Sequence, residues 1–97
     1  MRYRLRVPDE TAYFLSALHP EIKRKIKAAL NIITSEPGVG KSLQHELRGL
    51  NSFKVGRFRI IYKVAPKRII GIVAIGPRRT IYEETYRLLK KTPTPGT

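Results

Sequence analysis

Apolar residues recur with two different periods along the chain, and each period predicts a type of secondary structure. Residues 2–7, RYRLRV, alternate strictly, so that three apolar side chains share one face and three arginines share the other. A period of two predicts a half-buried strand, which Pro8 ends. The apolar stretch AYFLSAL that follows predicts a first helix closing near His19.

A second helical pattern begins at Pro20, which suits a first turn because the N–H that proline lacks would have no helical partner there. Apolar residues then recur at helical spacing, and most lysines and arginines fall elsewhere on the helix surface. The apolar positions are Ile22, Ile26, Ala29, Leu30 and Ile33. Two helices with one apolar stripe each predict a helical hairpin. SEPGVG ends the pattern and begins a polar loop that runs to about Glu46.

The second half of the chain changes to the period of strands. FKVGRFRIIYKV, residues 53–64, is interpreted as a strand with a core face of Phe58, Ile60 and Tyr62 and an opposite face rich in cations. APKR predicts a turn. The nearly continuous apolar run IIGIVAI, residues 69–75, is typical of a central strand covered on both faces.

Thr80, followed three residues later by Glu83, forms a capping-box pattern and predicts a last helix from about 81 to 90. TPTPGT, residues 92–97, has no apolar anchor and predicts a disordered tail. The order β-α-α-β-β-β-α over residues 1–91 predicts one small α+β domain. Its expected architecture is a twisted, mainly antiparallel sheet with an N-terminal helical hairpin on one face and a short C-terminal helix.

Charge is the compositional feature that bears most on function. Twenty Lys and Arg against seven Asp and Glu leave a formal charge of +13 on 97 residues, more than solubility requires. The excess predicts a polyanionic partner, which on charge alone could be RNA, DNA, the ribosome, a membrane surface or an acidic protein, and a merely solvated basic face is the alternative. The absence of cysteine excludes disulfides and thiolate chemistry. With no signal peptide and no apolar stretch of about 20 residues, we expect a cytoplasmic protein and no membrane partner.

Familiar catalytic patterns are not present in convincing form. PGVGKS, residues 37–42, resembles the end of a phosphate-binding loop, but the first glycine of that motif would fall on Ser35 and the segment follows a helix. It is interpreted as a flexible basic loop instead. His19 and His45 have no carboxylate at a ligand spacing, and the acidic residues are scattered. We therefore expect no metal and no cofactor.

Arginine, lysine and tyrosine residues near the strand ends remain as candidates. They are Arg48 in LRGL, then Lys54, Arg57 and Arg59 in FKVGRFRIIY, and finally Arg78, Arg79 and Tyr82 in IGPRRTIY. The succession of these segments, and the order of the predicted elements, resembles the RelE/ParE superfamily of toxins from toxin–antitoxin pairs. The resemblance extends from the first strand to about Leu89.

The resemblance implies two alternative targets. RelE-like members are mRNA interferases that cut the message in the ribosomal A site without a metal, by attack of a 2′-OH on the adjacent phosphate. ParE-like members poison DNA gyrase. By position, Arg59 is similar to the phosphate-stabilising arginine of the RelE branch, Arg78 to the arginine of its late Gly-His-Arg…Tyr element, and Tyr82 to the tyrosine proposed as its general base. Lys54 falls near a lysine or arginine that has a supporting role in that branch, and the resemblance implies that Lys54, Arg48, Arg57 and Arg79 bind RNA.

The chemistry of these residue types agrees with that assignment. The planar fork of arginine can bind two phosphate oxygens at once. A tyrosine becomes a useful base only where nearby cations stabilise its phenolate, and Tyr82 falls in the predicted first turn of a helix, which favours an anion. Pro77 stands where many relatives have a histidine, which removes one acid or base. The alternatives are a catalytically inactive RNA-binding module and, for Tyr82, packing on the sheet.

A partner is also implied by the resemblance. Toxins of this superfamily are held inactive by a small cognate antitoxin, RelB-like in the interferase branch, in a hetero-oligomer. Charge complementarity predicts an acidic antitoxin segment with apolar anchors. We expect it to cover the hairpin of residues 9–34 or to displace the helix around Tyr82.

Overall fold

The computed structural model describes residues 2–91, and the predicted tail at 92–97 lies outside the described residues. Its elements are β1 (Arg4–Arg6), α1 (Asp9–Ser16), α2 (Pro20–Ser35), β2 (Lys41–Ser42), β3 (Asn51–Val55), β4 (Phe58–Ala65), β5 (Ile69–Pro77) and α3 (Ile81–Lys91). Two single turns of 3₁₀ helix, Pro37–Val39 and His45–Leu47, flank β2. The predicted α+β class is confirmed.

One five-stranded sheet has the order β1-β5-β4-β3-β2. β1 pairs with β5 in parallel, and the other three pairings are antiparallel, as predicted. β5 therefore lies in the interior of the sheet, as its apolar run predicts. β1 and β5 are neighbours in the sheet although they lie at opposite ends of the order of strands along the chain. At the start of this pair the Arg4 N–H donates to the Arg68 carbonyl at 2.8 Å.

Two strand predictions need correction. Residues 53–64 are not one strand: Val55 pairs with Phe58, so Gly56 and Arg57 form a two-residue hairpin turn between β3 and β4. Gly56 has a φ of 58°, a left-handed conformation that glycine adopts without strain. Strand β2 lies inside the segment expected to be a polar loop. Its two residues pair with β3, a tertiary partner that the local pattern does not reveal.

The helical hairpin covers one face of the sheet and builds the larger core. Four of the five residues of the α2 stripe are buried, and Ile22 packs partly buried against them. They meet Ile60 and Tyr62 of β4 and Ile70 of β5, each without exposed surface. The helix stripe and the core face of β4 predicted from periodicity are therefore confirmed.

The opposite face carries a smaller core, and a β-bulge shapes it. Ile61 pairs with Ala74 whereas its neighbour Tyr62 pairs with Ile72, which leaves Val73 as the extra residue of β5. Val73 and Ala74 both pack with this second cluster, which Leu50, Ile61 and Ile81 complete. Because α3 packs on β5 through Ile81, it covers only part of this face. We call this face of the sheet, opposite the helical hairpin, the open face.

The PGVGKS segment is fixed to the larger core by a buried phenol. The Tyr62 hydroxyl donates to the Pro37 carbonyl at 2.6 Å and accepts from the Gly40 N–H at 3.0 Å. A Cβ on Gly40 would lie 2.5 Å from that hydroxyl, so the close approach requires glycine. The Gly40 N–H that a phosphate-binding loop would offer to an anion is thus already engaged by a side chain. The segment is a structural clamp rather than the flexible loop expected.

Tyr62→Phe is expected to lower the free energy of unfolding by about 1–3 kcal/mol, because it leaves the Pro37 carbonyl and the Gly40 N–H without their partner. Denaturant unfolding measures the change. Tyr13→Phe is the matched control, since Tyr13 is 78% exposed. Equal stability of the two variants would contradict the clamp.

The same phenol predicts a pH dependence. Burial raises the pKa of Tyr62 above the ordinary value, and the hydrogen bond from Gly40 opposes this rise only in part. The unfolded chain therefore releases the proton first, near pH 10, while the folded chain still holds it. Stability should be retained below about pH 10 and decline as pH rises towards the higher folded pKa. This part of the decline should be missing in Tyr62→Phe.

A cationic groove on the open face of the sheet

The hairpin of β3 and β4 places two cations directly opposite each other. Lys54 and Arg59 are cross-strand partners. Their neighbours Phe53 and Ile60 pack towards the helical hairpin, so the alternation of a strand turns Lys54 and Arg59 to the open face. Two like charges held opposite each other destabilise a sheet.

The end of β5 adds two more arginines to this pair. Phe58 pairs with Pro77, and the Arg78 N–H donates to the Arg57 carbonyl at 2.8 Å. This backbone bond fixes the segment after β5 against the β3–β4 turn. A groove of about 400 Å³ results, lined by Lys54, Gly56, Arg57, Arg59, Pro77, Arg78 and Arg79. We call it the cationic groove.

Positive charge in the cationic groove is not neutralised by the protein. None of the described residues that line it is acidic. Across residues 2–90 the one ion pair joins Arg87 and Glu83, both on α3. Arg59 is half-buried, and its Nη1 donates to the Phe58 carbonyl at 3.2 Å, which orients the guanidinium without cancelling its charge. Five cations in one concave site create a strong field for a phosphate.

Tyr82 lies next to the cationic groove and does not line it. It is the second residue of α3, and its hydroxyl is 3.1 Å from the Ser52 hydroxyl. Ser52 precedes Lys54 by two residues on β3, so the two share the open face about 7 Å apart. The Tyr82 side chain is 37% exposed and can be reached from solvent. Sequence reasoning missed Ser52, although its spacing from Lys54 already placed both on one face.

The remaining predicted residues separate into two groups. Arg57 and Arg79 line the cationic groove with Arg59 and Arg78. Arg48 does not: it is exposed in the turn after the 3₁₀ helix His45–Leu47. The structure thus brings together four of the predicted arginines and Lys54, and leaves Arg48 apart.

Residues 2–91 contain no group of three or more His, Asp or Glu side chains arranged to hold a metal ion. Within the same residues, none of the helices has the length and apolar character needed to cross a membrane.

Residues 3–82 match the family described as the ParE toxin of the type II toxin–antitoxin system, parDE. The chain belongs to this family. The matched range includes β1, both helices of the hairpin, all strands of the sheet and Tyr82. The resemblance to the RelE/ParE superfamily is therefore confirmed, and the protein is a toxin of a toxin–antitoxin system. None of the curated protein sequences compared matches it significantly.

Solved structures agree with this family. The toxin–antitoxin complex RelBE2 from Mycobacterium tuberculosis is 27% identical, with a TM-score of 0.70 over 80% of this chain and 100% of that chain. The archaeal RelE–RelB complex from Pyrococcus horikoshii OT3 is 24% identical, with a TM-score of 0.64 over 80% and 97%. A free E. coli RelE toxin mutant, at 16% identity, shares the fold with a TM-score of 0.74 over 96% and 100%.

Lys54→Gln is expected to raise the free energy of unfolding by about 0.2–1 kcal/mol at low salt, because it removes one of two like charges paired across β3 and β4. The gain should disappear near 1 M salt, where the screening length falls to about 3 Å. Lys27→Gln, at an exposed position of α2, removes the same charge and is the control. An equal gain in both variants would show that only net charge matters.

Proposed function

We propose that this toxin is a metal-independent endoribonuclease that cleaves mRNA in the ribosomal A site and so inhibits translation in the cytoplasm. The observation that carries the proposal is the cationic groove, in which five cations face solvent with no acidic residue in the lining. Such a site is suited to a phosphodiester whose charge grows during the reaction. The adjacent Tyr82 hydroxyl supplies a group that can accept a proton.

The proposed reaction uses the RNA's own nucleophile. The 2′-OH of one nucleotide attacks the adjacent phosphorus and forms a 2′,3′-cyclic phosphate, while the bond from phosphorus to the 5′ oxygen breaks. Arg59 and Arg78, which line one groove, bind the non-bridging oxygens on which negative charge accumulates. Tyr82 accepts the proton of the 2′-OH, and water protonates the leaving 5′ oxygen. In this chain Pro77 offers no side-chain acid for that last step.

The position of Tyr82 determines how the RNA must lie. Its hydroxyl is held over β3 by Ser52, whereas Arg57 and Arg78 lie at the turn that joins β3 to β4. A phosphate in the cationic groove therefore has its attacking ribose on the side of Ser52 and Tyr82. Lys54 lies between Ser52 and the turn on the open face, and in this proposal it binds the same phosphate.

A second candidate function is inhibition of DNA gyrase. The specific observation in its favour is the match of residues 3–82 to the ParE toxin family. Gyrase-directed members need no trio that cuts a phosphodiester. An inactive RNA-binding module is the third alternative, because Pro77 replaces the histidine of many relatives.

We further propose that an acidic, RelB-like antitoxin holds this toxin inactive in a hetero-oligomer. Structures similar to this chain are the RelBE2 complex of M. tuberculosis and the RelE–RelB complex of P. horikoshii OT3. The chain also offers a surface of the expected kind: a largely apolar cavity of about 530 Å³ lies between α1, β5 and α3. Phe14, Val73 and Leu89 contribute to its lining, and Leu89 is 41% exposed.

Arg78→Ala is expected to slow the cutting of ribosome-bound message by about 10²–10³, because one stabiliser of the phosphate charge is lost. Tyr82→Phe should slow it by about 10²–10⁴ through loss of the base. Primer extension of message ends from purified ribosomes measures both. The matched controls are Arg24→Ala, on the exposed surface of α2, and Tyr86→Phe, one turn along α3 with the same 37% exposure as Tyr82.

Three results separate the candidates. Cutting that both site variants retain in full would refute the catalytic assignment. Intact message together with blocked supercoiling by purified gyrase would favour the second candidate. Binding of RNA without cutting and without an effect on gyrase would identify an inactive module.

An acidic protein encoded beside this gene is expected to co-purify with the toxin and to restore growth when both are expressed. Leu89→Lys should weaken that capture, because it places a charge in the apolar cavity. Leu5→Lys, at an edge-strand position of similar exposure outside the cavity, is the control. Affinity purification and growth curves are the measurements. A chain that is harmless alone and captures no neighbouring product would contradict the proposed partner.

A further inference from the structure

A second set of cations lies in register across the open face, away from the cationic groove. Arg6 of β1 pairs with Gly71 of β5, and Gly71 pairs on its other side with Lys63 of β4. The three residues form one row across three strands. Two inter-strand spacings separate Arg6 from Lys63, which is about 9.6 Å.

The row points to the open face. On each strand a residue adjacent in sequence to the row packs with the hairpin core. These residues are Val7 beside Arg6, Ile70 beside Gly71 and Tyr62 beside Lys63. Since successive side chains of a strand alternate, Arg6 and Lys63 extend from the other face, and both are exposed. Gly71 leaves a gap in the side-chain layer between them.

The fold does not require glycine at position 71. Its φ is not in the left-handed region, and an added Cβ would meet only the Lys63 carbonyl oxygen, at an ordinary 3.9 Å. Gly56 and Gly40, in contrast, are needed for a positive φ and for the contact with Tyr62. Glycine inside a strand weakens it, and it often marks a place where a ligand approaches the backbone.

We propose that Arg6, Gly71 and Lys63 form a binding site for the phosphate backbone of RNA. The two cations flank a phosphate, and the missing side chain lets it approach the surface of the sheet. Charge complementarity favours this occupant, because none of the five strands that the structure describes contains Asp or Glu. Neither cation has a carboxylate partner among residues 2–91.

This site deepens the proposed function, on which it rests, by giving the RNA a second point of attachment. Arg59 and Lys63 lie on the same face of β4, four residues or about 13 Å apart. The cluster of Leu50, Ile61 and Ile81 lies between them, so the row is separate from the cationic groove. RNA held at both points is fixed in position while the row takes no part in cleavage.

Gly71→Thr is the sharpest test. Threonine favours strands and fits the open space, so the variant is expected to unfold at the same temperature as the wild type or higher. Its affinity for single-stranded oligouridine should nevertheless fall about tenfold, a loss of about 1.4 kcal/mol. Gly71→Ala, with the smaller side chain, should show a weaker loss of affinity. A glycine needed only for folding would give the reverse result, lower stability with unchanged affinity.

The double variant Arg6→Gln/Lys63→Gln tests the charges. The slope of log affinity against log salt should fall by about 1.4, since each phosphate contact on a single strand contributes about 0.7. Arg24→Gln/Lys27→Gln on the exposed surface of α2 removes equal charge and is the control. Equal slopes for the two double variants would overturn the proposal, as would equal loss of affinity for oligouridine and for a polyglutamate of matched charge.

Parallel cleavage assays distinguish a failure of the proposed binding site from a failure of the proposed nuclease activity. The wild type and the four variants are assayed on ribosome-bound message over a range of toxin concentrations, where the row variants should need more toxin for half-maximal cutting and Arg24→Gln/Lys27→Gln should match the wild type. Oligouridine binding that depends on the row, without any cutting by the wild type, would refute the nuclease and keep the binding site. Normal cutting with row-independent binding would refute the binding site alone.

Discussion

The alternation of side chains along β4 is the constraint on which the rest of the structure depends. Ile60 and Tyr62 have no exposed surface and complete the core beneath the helical hairpin. Arg59 and Lys63 are then forced to the other face, because successive residues of a strand point in opposite directions. A slip of one residue would bury cations and expose the core, so the packing of the hairpin also determines where the positive charge lies.

The part of the open face that α3 leaves uncovered determines which of these cations a ligand can reach. There α3 covers the small cluster around Ile61 and Ile81, and it can pack so closely because Gly76 has no side chain. A Cβ on Gly76 would lie 3.1 Å from Cδ1 of Ile81. The bulge at Val73 turns a further apolar residue towards the same cluster. The cationic groove therefore remains open beside α3, and it keeps its charge because no acidic residue lines it.

This concentration of positive charge lowers the free energy of unfolding of the toxin. Lys54 repels Arg59 across β3 and β4, and the net charge of +13 adds further repulsion between like charges in the folded state. Tyr62 and the PGVG segment provide part of the compensation, since the buried phenol joins a long connection to the core through two backbone groups. Binding of an anionic partner would relieve the repulsion, which links the stability of the toxin to the presence of its ligands.

Local sequence patterns were sufficient for the helical hairpin, for the core face of β4, for the apolar run of β5 and for the start of α3 after Thr80. Each of these depends on residues near one another in sequence, and a buried face imposes its period directly. The candidate cations could also be named, because they lie near the ends of the predicted strands. Their assignment to one family came from the order of the segments and not from any single motif.

Only the tertiary structure decided the rest. It split residues 53–64 at Gly56, paired β2 with β3, left Arg48 outside the cationic groove and placed the Tyr82 hydroxyl against Ser52. It also converted PGVG from an expected flexible loop into a clamp on Tyr62 and aligned Arg6, Gly71 and Lys63 across three strands. All of these depend on pairing between residues distant in sequence. The register and the hydrogen bonds between strands are determined only when the whole sheet has assembled.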